Sequence, residues 1–545
     1  MADTDTESLK LLQELTAIGI ALSAEKDHKR LLEMILDQAE RITNADGGTL
    51  YSMTEDGKLK FEIMHTETLG IRMGGTSGKA IPFYDIVLRD AMGFTNTKMV
   101  AACAAVTRQT INIEDAYSND EFDFSGTRAF DLKTGYRSKS FLTVPMTSHE
   151  NEVIGVLQLL NKRETGTDLV VPFTAQDQKL VESLSSMAAV AITNKLLIDA
   201  QRELFDSLIQ LIADAIDEKS PYTAGHCRRV PVLTNLLAEA ACATQVGPLA
   251  DFSMNEDERY ELNVAAWLHD CGKITTPEFV VDKSTKLETI FDRIHLIDTR
   301  FDVLKRDAEI AALKRKLAEF SGDDPFDPND DAEYRARIDQ VVADRDFLRR
   351  CNVGGEFLSD DDKQRVERIA AYRWRNGTGE ETMFLSEDEV SNLHISRGTL
   401  TFAERQIINN HVSVTIKMLE SLPYPKHLRR VAEYAGGHHE RMDGSGYPNH
   451  LTRDQMSIPA RMLAIADIFE ALTAQDRPYK KPMPLSQALT ILGRMKQENH
   501  VDADLFDVFI REGVYLKYAR EHLKPEQIDE VDLNRVPGYS PTCPA

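Results

Sequence analysis

The stretch HHERMDGSGYP at residues 438–448 decides how the rest of the chain is interpreted, because it places two adjacent imidazoles just before a Gly-Ser-Gly-Tyr-Pro turn. A second stretch, WLHDCGK at residues 267–273, places another histidine beside a carboxylate at the predicted end of a helix. Imidazole and carboxylate ligands without thiolate suit iron, manganese, zinc or nickel. The two stretches therefore predict a metal centre and disfavour a cysteine-rich structural zinc site.

Histidines and aspartates in other helical patterns extend this metal-binding prediction. The candidate metal ligands are His226, His269, Asp270, His411, His438, His439 and Asp467. The two oxygens of Asp270 could bridge two metal ions, and a metal pair about 3.5–4 Å apart stabilises both the attacking and the leaving oxygens in phosphoryl chemistry. The set indicates metal-assisted phosphoester hydrolysis, although each histidine taken singly is more often a hydrogen-bonded core residue.

The His-Asp pair at 269–270 and the Gly-Tyr-Pro segment at 446–448 resemble the motifs for which the HD-GYP family of metal-dependent phosphodiesterases is named. The resemblance covers residues 205–282 and 399–518. It implies an all-α catalytic domain of the HD superfamily at 205–518. It also implies that this domain hydrolyses the bacterial second messenger cyclic di-GMP to pGpG or GMP.

The same resemblance supplies expectations for the cofactors and for the catalytic residues. It implies two divalent metal ions, iron or manganese. Members with a third metal carry glutamate four residues before the first histidine ligand, and this chain has Tyr222 there, which disfavours a third ion. Catalysis is assigned to His269, Asp270 and Lys273, and Lys273 is close enough on the turn to neutralise a phosphate oxygen or the leaving group.

Four basic residues are the predicted contacts to the phosphates of the substrate, because guanidinium and ammonium groups make charge-assisted hydrogen bonds to phosphate oxygens. These residues are Lys273, Arg441, Arg477 and Lys480. For Arg441 the alternative is a salt bridge. In the HD-GYP family the loop at 444–448 also serves partner contacts, so a GGDEF-type or other signalling partner is expected there.

Two other interpretations keep the HD fold but change the activity. The first is a catalytically weak receptor for cyclic dinucleotides, and the complete ligand set argues against it because a degenerate member would be expected to have lost ligands. The second is an HD-type phosphohydrolase that acts on another nucleotide, such as a hybrid cyclic dinucleotide.

The first part of the chain predicts an α+β sensor domain. Alternating patterns at 49–53 and 59–63, and again at 140–146 and 153–160, predict paired strands between helical segments. The stretches DGGTL, FLTVPM and IGVLQLLNK resemble those of a GAF domain, with an antiparallel sheet and helices, over residues 8–195. The resemblance implies a regulatory module that binds a small molecule or dimerises.

A regulatory ligand site is predicted at Asn161, Lys162, Phe173 and Asp177. Cyclic-nucleotide-binding GAF domains carry Asn-Lys followed by a spaced Phe-x-x-x-Asp-Glu, and here Gln178 stands where the glutamate is expected. The expected ligand is a cyclic nucleotide or another small molecule. The alternative is that Asn161 and Lys162 close a strand and that Phe173 is a core residue.

A helix at 177–219 is predicted to connect the sensor with the enzyme as a signalling element. Its apolar stripe predicts either a homodimer seam, with Asn194 and Gln201 setting the register, or an intramolecular packing face. The stripe comprises Leu180, Leu184, Met187, Ala191, Ile198, Phe205, Leu208 and Ile212. Residues 283–398 are predicted to form a helical hairpin inserted into the catalytic domain, and residues 520–545 an irregular tail.

Composition limits the possible partners and the compartment. The 545 residues carry a formal net charge of −24, so the average surface repels nucleic acid and anionic membranes. Six cysteines without a CxxC pair indicate reduced thiols. The acidic N-terminus is unlike a signal peptide, and the longest nearly uncharged run, 183–194, is too short to cross a bilayer. We expect a cytoplasmic protein that binds no nucleic acid and does not insert into a membrane.

Overall fold

The chain forms two compact units, residues 1–204 and residues 205–545. The computed structural model describes residues 2–90, 92–219, 225–319, 331–355, 357–475 and 482–540. The boundary between the units falls inside a continuous helix, Ala175–Lys219.

The first unit is built on an antiparallel sheet. Its strands are β1 (Ala45–Met53), β2 (Lys58–Thr66), β3 (Ile71–Gly74), β4 (Ile86–Val87), β5 (Ile111–Ile113), β6 (Phe141–Thr147), β7 (Val153–Arg163) and β8 (Val170–Val171). The strand order is β3-β2-β1-β7-β6-β5, with β4 paired to β2 and β8 paired to β7. The predicted α+β domain with an antiparallel sheet is therefore confirmed.

Helices cover both faces of this sheet. They are α1 (Ala2–Ala24), α2 (His28–Thr43), α3 (Val100–Thr107), α4 (Ser125–Thr134) and the first half of α5 (Ala175–Lys219). Leu50 lies opposite Leu157 in the β1–β7 pair, and both are buried with side chains of α2 and α5. The next pair, Tyr51 and Val156, is buried against α3. This alternation follows from the two-residue period of a strand.

The second unit is mainly helical. Its helices are α6 (His226–Ala243), α7 (Glu256–Leu268), α8 (Glu278–Val281), α9 (Ile294–Glu319), α10 (Ala332–Val353), α11 (Asp360–Ala370), α12 (Glu387–Leu393), α13 (Phe402–Glu420), α14 (Val431–Gly436), α15 (Ile458–Thr473), α16 (Leu485–Gln497), α17 (Ala503–Arg511) and α18 (Val514–His522). The last turns of α5 pack with α6, α7 and α14–α18 in the main core. A capping box formed by Thr401 and Glu404 begins α13.

The segment predicted as an inserted helical hairpin has an apolar core of its own. The antiparallel pair α9–α10 is present, but α11, α12 and a small hairpin of β9 (Arg373–Arg375) and β10 (Glu381–Met383) complete the segment. Phe301 of α9 packs against Phe384, with ring centroids 4.6 Å apart, and both are fully buried. The segment is therefore larger and more compact than a hairpin. The predicted tail also packs, because Val536 is buried in the main core.

One helix, α5, is long and apolar enough to cross a membrane by length and composition alone, with a mean hydropathy of 1.2 over an 18-residue window. A core helix passes the same test, and 39% of that window is buried inside the structure. The finding is weak evidence for a membrane span.

Candidate metal centre

Seven predicted ligands from separate parts of the second unit come together at one place. They are His226 at the start of α6, His269 and Asp270 after α7, His411 in α13, His438 and His439 after α14, and Asp467 in α15. His439 is partly buried, and the other six are buried. The convergence is what the sequence predicts for a metal centre.

One oxygen of Asp270 faces a first group of ligands. Its Oδ2 lies 3.4 Å from Nε2 of His226 and 3.3 Å from Nε2 of His269. Oδ1 of Asp467 lies 3.2 Å from Nε2 of His226 and 3.8 Å from Nε2 of His269. His226, His269 and Asp467 thus place their ligand atoms around one small volume.

The other oxygen of Asp270 faces a second group. Its Oδ1 lies 3.1 Å from Nε2 of His411 and 3.9 Å from Nε2 of His438. His411, His438 and His439 offer ligand atoms that all lie within 4.8 Å of one another. Asp270 therefore stands between two clusters of imidazoles, with one oxygen toward each.

Local helix geometry orients three of the imidazoles. Nδ1 of His269 donates to the carbonyl of Ala266 at 2.7 Å, three residues earlier. His411 and His438 make the equivalent bonds to carbonyls three residues earlier, at 2.6 Å each. A proton held on Nδ1 leaves the lone pair of Nε2 free for a metal ion.

The polar atoms at the centre test whether the site suits a metal. Oδ1 of Asp270 and Nε2 of His411 and of His438 are buried and lack a hydrogen-bond partner within the described residues. A buried polar atom without a partner costs about 1–3 kcal/mol. Coordination of a cation would satisfy all three atoms at once, so the donor set fits divalent metal.

The protonation states of two imidazoles and two carboxylates favour coordination. His226 differs, because burial acts to lower its pKa but Glu470 and the two aspartates outweigh it and raise that pKa well above the usual value. Burial lowers the pKa of His438 well below its usual value and that of His439 to about 4, so both imidazoles are neutral at pH 7. Burial acts to raise the pKa of Asp270, but Lys273 and the neighbouring imidazoles outweigh it and hold that pKa well below the usual range. Asp467 is likewise kept ionised, chiefly by His226. Neutral imidazole and ionised carboxylate are the forms that bind metal.

The predicted substrate contacts have different outcomes. Nζ of Lys273 lies 2.5 Å from Oδ2 of Asp270, inside the cluster. Arg441 is exposed, and its side chain has no ion pair with any residue that the structure describes, so the salt-bridge alternative is not observed. Arg477 and Lys480 lie outside the described residues, as does Tyr222.

The Gly-Tyr-Pro loop folds back on a ligand. The ring of Tyr447 stacks on His439 with centroids 4.9 Å apart, and its backbone N–H donates to the His439 carbonyl at 3.2 Å. Buried Glu440 accepts from the N–H groups of Asn449 and Leu451 at 2.7 and 3.0 Å. The Asp443 carboxylate accepts from the N–H and the hydroxyl of Ser445, two residues later. Glu440 instead binds groups nine and eleven residues later, so it has the larger part in shaping the loop.

The sequence analysis missed a carboxylate behind His226. Nδ1 of His226 is hydrogen-bonded to Glu470, whose other oxygen accepts from Nε of Arg229 at 2.7 Å. Burial acts to raise the pKa of Glu470, but His226 and Arg229 outweigh it and lower that pKa to about 2. A signal was present, because Asp467 and Glu470 are three residues apart on one helix and so share a face.

Contacts made by two residues, Gly272 and Lys219, position the 3-10 turn at Cys271–Thr275 that follows the His-Asp pair. A Cβ on Gly272 would lie 2.0 Å from the carbonyl oxygen of His411, so only glycine allows this approach. The Gly272 N–H also donates to Oγ1 of Thr415 at 2.9 Å. From α5, Nζ of Lys219 donates to the carbonyl of Ile274, to that of Thr276 at 2.7 Å and to that of Lys273 at 3.3 Å. The sequence motifs predict neither the role of Gly272 nor that of Lys219.

In the first unit, the four predicted ligand-binding residues make internal contacts. Lys162 forms an ion pair with Asp177, which also accepts from the N–H and hydroxyl of Thr174 at 2.7 Å each. Oδ1 of Asn161 accepts from the N–H of Lys139 at 2.7 Å, and Phe173 is buried in the core. These contacts favour the alternative in which the residues close a strand and fill the core. A ligand at this position stays a prediction.

Comparison with protein families matches two parts of the chain. Residues 27–192 match the GAF domain, and residues 387–505 match the HD domain. The chain therefore contains an N-terminal GAF domain and a helical HD domain. The HD match includes His411, His438, His439 and Asp467, but not the His-Asp pair at 269–270.

Curated relatives match parts of this chain. The chain is 46% identical over 81 residues to 3'3'-cGAMP-specific phosphodiesterase 1 of Vibrio cholerae, covering 15% of this chain and 19% of that protein. It is 24% identical over 326 residues to 3'3'-cGAMP-specific phosphodiesterase 3 of Vibrio cholerae, covering 58% of this chain and 43% of that protein. It is 27% identical over 273 residues to the cyclic di-GMP phosphodiesterase of Thermotoga maritima, covering 44% of this chain and 70% of that protein. The chain thus spans less than half of the first two relatives.

Replacement of Gly272 by alanine is expected to break the metal centre. The new Cβ would collide with the backbone of α13 and move Asp270 away from His411, and overpacking of this kind costs about 1–3 kcal/mol. Metal quantification on the purified variant should show less than the native metal content. Gly355→Ala is the control, because a Cβ there meets no atom within 4 Å. Equal metal content in both variants would contradict the role of this contact.

Glu470→Gln is expected to destabilise metal-free protein in a pH-dependent way. The folded-state pKa of about 2 lies below the ordinary 4.5, so the carboxylate stabilises the fold above about pH 4.5 and loses this effect as pH falls toward 2. The shift of the Glu470 pKa corresponds to at most about 3 kcal/mol in the free energy of unfolding at pH 7. Denaturant unfolding at pH 7 and pH 3 measures it, with Glu420→Gln, an exposed glutamate, as the control. A difference that is independent of pH would argue against the ionised pair.

Proposed function

We propose that this chain is an HD-GYP-type phosphodiesterase that hydrolyses cyclic di-GMP to pGpG or GMP at a centre of two divalent metal ions. The division of the two Asp270 oxygens between two imidazole groups carries the proposal. A carboxylate in that position suits a bridge between two cations. The phosphodiesterase names of the three relatives support the reaction class.

The ligands would be shared between two positions. His226, His269 and Asp467 would hold one ion, and the group of His411, His438 and His439 the other, with Asp270 common to both. Two divalent ions, when bound, act as Lewis acids on the phosphoryl group. Glu470 is already hydrogen-bonded to His226 and paired with Arg229, which supports two ions rather than three. Iron or manganese suits this imidazole and carboxylate set.

The chain's own residues favour attack by water. Cys227 and Cys271 flank the ligands, but both are buried, and burial raises the pKa of Cys271 to about 11 and that of Cys227 well above its usual value. Both thiols stay protonated at pH 7 and so lack the thiolate needed for covalent attack. Lys273 stays charged: burial acts to lower its pKa, but Asp270 outweighs it. Its ammonium group would neutralise a phosphate oxygen or the leaving group.

A second substrate is favoured by a specific observation. Two of the relatives are named as specific for 3'3'-cGAMP, a hybrid cyclic dinucleotide. Both substrates carry the same cyclic phosphodiester linkages, so the metal centre described here suits either. Discrimination between them would come from contacts to the bases. Arg441 is exposed beside the loop, and with Arg477 and Lys480 it is proposed to contact phosphate.

Regulation and assembly are proposed on the domain order. The GAF domain would respond to a small ligand or to dimerisation, and the homodimer would be the working form in the cytoplasm. Exposed Ser445 in the 444–448 loop and exposed Asn449 beside it would provide a surface for a GGDEF-type or other signalling partner. A receptor without turnover remains the competing hypothesis, and a turnover measurement separates it from an enzyme.

Protein purified without oxygen and loaded with iron or manganese is expected to hydrolyse cyclic di-GMP, with 3'3'-cGAMP as the parallel substrate. Asp270→Ala and His411→Ala should each lower turnover by more than about 100-fold, the upper range for loss of an outer-shell partner. Product separation by chromatography, together with metal quantification, provides the measurement. His295→Ala, an exposed histidine on α9, should leave turnover unchanged.

The possible results separate the hypotheses. Turnover of 3'3'-cGAMP but not of cyclic di-GMP would assign 3'3'-cGAMP as the substrate. Tight binding of either nucleotide without product would favour the receptor. Turnover retained in both ligand variants would refute the assigned centre.

A further inference from the structure

A further group of side chains with metal-binding chemistry lies in the first unit, where α2 packs against β2. Asp37, Glu40 and His65 each offer one ligand atom, and these atoms all lie within 4.8 Å of one another. Among the described residues, every other group that meets this criterion belongs to the centre in the second unit. The group in the first unit comes from two separate elements, so no sequence motif indicates it.

The packing of α2 on the sheet brings these side chains together. His65 lies opposite Gly48 in the β1–β2 pair, and residues in that relation share a face of the sheet. A Cβ on Gly48 would lie 2.7 Å from Cδ1 of Leu36, so glycine allows α2 to approach the sheet closely at this point. Asp37 and Glu40 are three residues apart and share a side of α2. The helix therefore places both carboxylates next to the imidazole.

The carboxylate of Glu40 provides the observation that points to a cation. Only 8% of this residue is exposed. Its Oε2 lies 2.6 Å from Nδ1 of His65, but its Oε1 is buried without a hydrogen-bond partner among the described residues. A buried polar atom that stays unpaired is unfavourable. Because both oxygens belong to one carboxylate, a cation bound at Oε1 would also be within reach of the His65 ring.

The charges around this group are only partly balanced. Burial raises the pKa of Glu40, and the hydrogen bond and charge of His65 act against that rise without cancelling it. Arg72 lies 3.4 Å from Oδ1 of Asp37, but these two side chains are 61% and 44% exposed. An exposed ion pair contributes little to stability, so Asp37 stays available to a cation. A divalent ion would match the buried carboxylate better than its present neighbours do.

The donor set selects the kind of metal. One imidazole and two carboxylates are ligands that zinc accepts, and zinc sites with three protein ligands keep a fourth position for water. Magnesium and calcium prefer oxygen ligands alone, so the imidazole disfavours both. The forms that bind zinc are neutral imidazole and ionised carboxylate. Uptake of zinc would therefore displace the proton that His65 and Glu40 now share.

We propose that Asp37, Glu40 and His65 form a zinc site within the first unit, with water completing the coordination. An ion bound there joins α2 to β2 and so holds the helix on the sheet. The partly exposed side chain of Asp37 gives the ion access from solvent. The site shares no residue with the predicted regulatory ligand site, and it does not rest on the proposed phosphodiesterase activity.

Zinc quantification on the full-length protein tests the site. After dialysis against buffered zinc, Asp37→Ala and Glu40→Gln should each hold one equivalent fewer than the native chain. The ligands in the second unit are the same in all these chains, so their metal cancels in the difference. Glu55→Ala is the matched control, because Glu55 is an exposed carboxylate of the same unit. Circular dichroism should show that Asp37→Ala, which changes a partly exposed side chain, keeps the native fold.

Hydrogen–deuterium exchange locates the bound ion. Zinc should slow exchange in α2 and β2 of the native chain, because an ion that binds the folded state opposes local opening. The same addition should leave exchange in these two elements unchanged in Glu40→Gln, and magnesium should have no effect on the native chain. The zinc affinity of Asp37→Ala should fall by at least about 10-fold, the lower range for loss of an outer-shell partner.

Three results would overturn the proposal. One is an equal zinc content in the native chain, Asp37→Ala and Glu40→Gln. Another is a loss of zinc from Glu55→Ala as large as that from Asp37→Ala, which would mean that surface carboxylates bind the ion without a defined site. The third is slowing of exchange in α2 and β2 by magnesium but not by zinc. None of these measurements reads turnover, so failure here leaves the proposed function untouched.

Discussion

The second unit depends on one buried carboxylate that lies between two groups of imidazoles. Asp270 can hold this place only because the turn after it approaches α13 at Gly272, where any side chain would collide with the backbone. The result is a centre in which Oδ2 faces His226 and His269, and Oδ1 faces His411 and His438. The close packing of the turn against α13 therefore also fixes the geometry of the ligands.

Charge balance explains why so polar a cluster can be buried. Ionised carboxylates without partners would be costly in this interior, but Lys273 and Arg229 supply positive charge at the two sides of the cluster. The low pKa of His439, about 4, keeps that imidazole neutral. Burial acts to lower the pKa of His226 as well, but Glu470 and the two aspartates outweigh it and raise that pKa well above its usual value, so His226 adds positive charge. Stability and metal affinity would be linked, because the buried atoms that lack a hydrogen-bond partner among the described residues are the ones that would bind a metal ion.

The sequence predicts the candidate metal ligands much better than it predicts the residues that position them. The ligands lie in short motifs whose residue types already indicate metal chemistry, and the GAF and HD domains follow from local patterns. Glu470, Gly272 and Lys219 act through residues far away in the chain, so no local pattern reveals them. On α5, periodicity shows that a helix has apolar faces, but which face enters a core depends on what packs there. Leu184 is buried and Leu197 is exposed for that reason alone.

The last turns of α5 also touch the site. Lys219, the last residue of α5, donates to three carbonyls of the turn that holds Lys273. The side chains of Ile209 and Ala213 on the same helix belong to the main core of the second unit. A rotation of the last turns of α5 would therefore have to move these contacts or break them. Such a connection becomes regulation only if α5 has two arrangements that differ in free energy between ligand states.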